Sequence, residues 1–79
     1  MTVYVGTFQK KDGSSRTMKF VRLKDLPSIF LRTHIKGTSH PVVKEGQEIV
    51  WDVEKQNFRI FNWQTENGNL KILEEDLKF

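Results

Sequence analysis

From Gly6 to Phe20 the chain reads Gly-Thr-Phe-Gln-Lys-Lys-Asp-Gly-Ser-Ser-Arg-Thr-Met-Lys-Phe, two alternating apolar/polar runs around a Lys-Asp-Gly turn. Alternation at period two places successive side chains on opposite faces of a strand, so the segment reads as a β-hairpin with a charged tip. Gly13 supplies the positive φ that such turns need. A second hairpin is written at Ile49–Trp63, with Glu54-Lys55-Gln56-Asn57 at its turn. Two hairpins rich in aromatic residues commit the chain to a small, twisted β structure.

With 79 residues there is room for one core and one domain. Six Phe, two Trp and one Tyr provide the large side chains on which so small a core depends. The absence of Cys removes disulfides and thiolate metal sites and suits a reducing cytoplasm. The first residues, Met-Thr-Val-Tyr-Val-Gly, lack the basic and apolar regions of a signal peptide, and no apolar run is long enough to span a membrane. The expectation is a soluble domain of the cytoplasm.

Five strands are expected, over 2–9, 15–23, 47–53, 58–64 and 70–74. Gly6, inside the first, suggests a bulge or a sharp bend. Along the second strand Arg16, Met18, Phe20 and Arg22 share one face, and Thr17, Lys19, Val21 and Leu23 the other. Its middle is expected to be covered on both sides. Asp25-Leu26-Pro27-Ser28 starts a helix, with Asp as N-cap and Pro in the first turn. Leu26, Ile29, Phe30 and Thr33 line one side at helical spacing, and Lys36-Gly37 ends it. A loop over 37–46 leads to the third strand, and Asn67-Gly68 marks the last turn. Five antiparallel strands with one short helix between the second and third describe an SH3-like or Sm-like barrel. An open antiparallel sheet with one helix packed on it is the alternative.

Catalysis is not expected. His34 and His40 stand six apart around a loop, without Cys or a carboxylate cluster, and read as solvated residues rather than metal ligands. Ser39-His40 adjacency does not make a triad, because nucleophile, base and orienting acid must converge in space. Glu74-Glu75-Asp76 reads as a solvated acidic tail. No glycine-rich phosphate loop is present, and neither a cofactor nor a metal is expected.

Binding is better motivated. Residues 1–44 hold nine Lys/Arg against two acids (9 − 2 = +7), and residues 45–79 hold four against eight (4 − 8 = −4). A basic half points to a polyanion or an acidic protein surface, unless the two halves pack together and neutralise each other. Lys10, Lys11 and Arg16 crowd one hairpin end, and Lys19, Arg22 and Lys24 extend the charge along the strand. Arg59, Phe61 and Trp63 share one face of the fourth strand, an arrangement suited to stacking unpaired bases. Phe61 and Trp63 are equally needed in the core. The site expected from sequence is therefore Lys10, Lys11, Arg16, Lys19, Arg22, Arg59 and Trp63, binding single-stranded DNA or RNA with little sequence preference. The alternative is a protein-interaction module that docks on a host protein or self-assembles into an oligomer through open edge strands.

Three stretches carry a family likeness. They are Phe8-x-Lys10-Lys11-Asp12-Gly13-Ser-x-Arg16-Thr17-Met18-x-Phe20, then Asp25-Leu26-Pro27-x-x-Phe30-Leu31, then Gly46-x-Glu48-x-Val50-Trp51-Asp52-Val53 running on to Phe58-Arg59-x-Phe61-Asn62-Trp63. Together they resemble a small protein family of tailed bacteriophages with an SH3-like, Sm-like barrel related to WYL domains. The likeness spans residues 7–63 and implies a fold, a phage origin and the host bacterial cytoplasm rather than an activity. WYL domains themselves sense ligands and nucleic acids in bacterial regulators. This chain has neither a Trp-Tyr-Leu signature nor an attached helix-turn-helix, so that role does not carry over on motif grounds.

Overall fold

The computed structural model describes residues 1–34 and 43–78. Its strands are β1 (Thr2–Gln9), β2 (Ser15–Arg22), β3 (Gln47–Asp52), β4 (Asn57–Asn62) and β5 (Lys71–Glu74), with helix α1 (Ser28–His34) between β2 and β3. They form one antiparallel sheet in the order β4-β3-β2-β1-β5. The expected helix end at Lys36-Gly37, most of the 37–46 loop and His40 lie outside the described residues.

The sheet is open: β4 and β5 are its two edges and do not pair with each other. The reason lies in the β4–β5 connection. After β4 the chain makes a 3-10 turn over Trp63–Thr65 and runs along the far half of β1. There the Thr65 hydroxyl accepts from the Gln9 amide at 3.0 Å and donates to the Gln9 carbonyl at 3.1 Å, while the Asn67 amide donates to the Thr7 carbonyl at 3.0 Å. A threonine side chain and one amide thus take the place that a strand partner would occupy. β5 pairs only with the first half of β1.

Both faces of this sheet bury rings, which is how 79 residues make do without a separate second layer. On one face Val3, Val21 and Trp51 pack with Leu26 and Phe30 under α1. On the other Phe8, Met18, Phe20, Val50 and Phe61 form a second cluster, with Tyr4, Trp63 and Leu70 half-buried at its rim. Phe61 is fully buried and lies 4.5 Å from Phe20 and 5.0 Å from Phe8, ring centre to ring centre.

Gly6 is not a bulge. It pairs in register with Met18, and a Cβ built on it would stand 2.8 Å from the Phe61 ring. The residue is needed because the sheet curls far enough to bring the β4 ring onto the β1 backbone.

The helix departs from expectation in two respects. It starts at Ser28, so Asp25 ends the preceding 3-10 turn instead of capping α1, and Pro27 stands just before the first turn. Its buried face is also shifted. Leu26 and Phe30 are buried, but Ile29 is 69% exposed and Leu31 is half-buried in its place. α1 begins at Ser28, after a separate 3-10 turn over Leu23–Asp25, so residues 26 and 29 do not belong to one helical repeat. Among the described residues no helix is long and apolar enough to cross a membrane.

Candidate nucleic-acid interface

The β1–β2 hairpin tip is hydrogen-bonded through its backbone and charged at its surface. The Lys10 amide donates to the Ser14 carbonyl at 2.8 Å, and Gly13, at φ +87°, closes the turn onto the Lys10 carbonyl. Asp12 accepts from both the amide (2.9 Å) and the hydroxyl (2.6 Å) of Ser14. These two bonds, more than neighbouring Lys10, hold its carboxyl below the ordinary aspartate range. Lys10 and Lys11 are left exposed on this turn.

Because the sheet curls, its edge strand β4 approaches this tip. Between them lies a cleft of about 420 Å³ whose charged lining residues are Lys10, Lys11, Arg16, Lys44 and Arg59. Among the described residues no acidic one lines it. Gln9, Gln47, Asn62 and Thr65 add amide and hydroxyl groups, and Phe8 and Ile60 add apolar surface. Five cations facing one cavity focus positive potential into it.

Arg16 is held from behind. Its guanidinium is ion-paired with Asp52, which is 1% exposed. The other Asp52 oxygen accepts from the amides of Glu54 and Lys55 at 3.0 Å each, so one carboxylate ties the β3–β4 turn to β2. The Asp52→Asn variant is expected to lose about 3 kcal/mol in chemical denaturation. That is the low end for breaking a buried pair, since Arg16 keeps 25% of its side chain in solvent. Replacing Arg16 as well is expected to recover part of the loss, which a double-mutant cycle reads directly.

Of the seven residues expected from sequence, the structure brings Lys10, Lys11, Arg16 and Arg59 to this cleft and places the other three elsewhere. Lys19 lies on the α1 face of the sheet, 2.8 Å from Glu75. Glu74 and Glu75 are accordingly not a free tail: Glu74 accepts from the Thr2 hydroxyl at 2.8 Å, which with the Met1 amine lowers its pKa. Arg22 makes a two-pronged pair with Glu48 at 2.8 and 2.9 Å, which raises its pKa above the usual arginine value. Trp63 donates its indole N–H to the same Glu48 at 3.2 Å. Its ring packs edge-on against Phe20 and Phe61, with the Arg22 guanidinium 5.8 Å from its centre. Trp63 is a wall of the core rather than a platform for bases.

Lys44, Gln47, Asn62 and Thr65 were not singled out from the sequence. Lys44 contributes to the basic half, but only the curl of β4 shows that it faces the hairpin.

The remaining chemical groups are engaged locally. The His34 ring stacks on Phe30 at 3.9 Å and its Nδ1 lies 3.0 Å from the Phe30 carbonyl. Among the described residues no group of three or more His, Asp or Glu is placed to hold a metal. No protein-family description, curated protein or solved structure matches this chain.

Proposed function

We propose that this chain is a non-enzymatic phage accessory protein of the host cytoplasm that binds single-stranded DNA or RNA, with little sequence preference, in the cleft between the β1–β2 hairpin and β4. The observation that carries the reading is the lining of that cleft, among the described residues, by five basic side chains and no acidic one. Phosphates entering it displace counterions from the strand, which yields affinity without base choice. Arg59, exposed on the edge strand, offers a guanidinium plane on which an unstacked base rests. In architecture, the curled β1–β4 meander with β5 on the other side of β1, strapped by its 3-10 turn, supports an SH3-like or Sm-like barrel opened between β4 and β5.

Fluorescence anisotropy with labelled single-stranded DNA, RNA and duplex tests this. Three or four phosphate contacts predict a salt slope of about −2 to −3, so affinity falls about 20- to 50-fold between about 50 and 200 mM salt. Salt-independent binding, or none at the lower salt, contradicts the proposal.

A second reading rests on the sheet edges. Ile72 and Leu73 on β5 are 62% and 40% exposed, and Ile60 on β4 is 36% exposed. Apolar side chains on unpaired edges suit strand addition by a host protein or by another copy. Light scattering after size-exclusion chromatography separates these: a mass above that of a 9.3 kDa monomer favours self-assembly.

A further inference from the structure

The placement of charge narrows what part of a nucleic acid the cleft takes. A protein that tracks an internal stretch of backbone needs a positive groove continuing past several phosphates. Along β2 the charge is interrupted after Arg16. Beyond the hairpin tip, Lys19 and Arg22 project from opposite faces of β2, each into an ion pair, with Glu75 and Glu48. Arg16 is partly neutralised by Asp52. Lys10, Lys11, Lys44 and Arg59 remain, and among the described residues none of the four is in a salt bridge. They converge on one cavity of about 420 Å³, within the size range of pockets for single small ligands.

We propose that the cleft is a pocket for a terminal phosphomonoester, carried by the end of a nucleic acid strand or by a free nucleotide. The inference rests on the nucleic-acid reading above and sharpens it. A phosphomonoester carries about −1.5 to −2 charges near neutral pH, against one for each internal diester. It also presents three acceptor oxygens to a set of converging donors. Four cations around one cavity, none in a salt bridge among the described residues, match the doubly charged group better than an isolated diester. Asn62 and Gln47 provide neutral donors beside them, and Ile60 an apolar wall for the adjoining sugar or base.

The test compares single-stranded oligonucleotides of one sequence, about ten nucleotides long, carrying 5′-phosphate, 3′-phosphate or hydroxyl ends. Anisotropy is read at about 150 mM salt, where exposed long-range charge is screened. At least one phosphorylated end is expected to tighten binding about tenfold, the worth of one added charge-assisted contact. The Lys44→Ala variant, exposed and outside the hairpin, is expected to fold normally and to lose that difference. Competition with adenosine monophosphate assigns the source: displacement at a concentration similar to that of the phosphorylated strand points to a free nucleotide, and much weaker displacement to a strand end. Equal affinity for all three oligonucleotides overturns the inference, and if they still bind with a steep salt slope the nucleic-acid reading stands without it. No binding by any of them overturns both.

Discussion

Replacing Lys10 and Lys11 together by glutamate is expected to lower affinity for single-stranded DNA about 100-fold or more at low salt. Each lost charge-assisted phosphate contact is worth about 1.5 kcal/mol or more, and about 1.4 kcal/mol is a factor of ten. The introduced carboxylates add repulsion to that loss. The fold is expected to survive, because both side chains are exposed and the tip is held by backbone bonds and by Asp12. An unchanged circular dichroism spectrum and thermal midpoint check this point. Lys19→Ala serves as the contrasting variant, since its partner is Glu75 and it stands away from the cleft. Its affinity is expected to stay within about twofold of the parent, as a charge paired with Glu75 and distant from the phosphates is largely screened. If Lys19→Ala weakens binding as much as the double reversal, the relevant surface is the strand and not the cleft.

The second large effect concerns stability. Phe61→Ala is expected to cost about 3–5 kcal/mol, the usual loss for a buried phenylalanine. Phe61 is fully buried, touches the rings of Phe8, Phe20 and Trp63, and closes directly over Gly6. The vacated space lies against the β1 backbone at Gly6, which is held there by its ladder to β2. For a domain of this length the whole stability is about 4–12 kcal/mol. The variant is therefore expected to be largely unfolded in mild denaturant, and to lose the curl that brings Arg59 to the hairpin. A shift of under about 1 kcal/mol in denaturation contradicts the placement of Phe61 at the centre of the second cluster.

The strands were legible because their alternation and turn residues are local: β1 and β5 fall within a residue of expectation, and Gly13 turns as its position requires. The open edge was not legible. Whether β4 meets β5 depends on Thr65 and Asn67 reaching Gln9 and Thr7, more than fifty residues away. Gly6 illustrates the same limit, since a bulge and a close ring contact favour the same residue. Within the site, Lys10, Lys11 and Arg16 could be grouped because one hairpin holds them together. Arg22 and Lys19 look equivalent to them in sequence and are separated only by where Glu48 and Glu75 arrive. Trp63 was ambiguous for a related reason: alternation places it on a face but does not say that the 3-10 turn folds its indole inward onto Glu48.

Titrating unlabelled single-stranded DNA into the isotope-labelled protein, followed by amide chemical-shift mapping, tests the central claim most directly. The largest shifts are expected at Lys10, Lys11, Arg16, Lys44, Gln47, Arg59 and Thr65, with Lys19, Ile29 and Ile72 nearly unmoved. Shifts centred on α1 or on β5, or no shifts at all, contradict the assignment of the cleft as the phosphate-contacting surface.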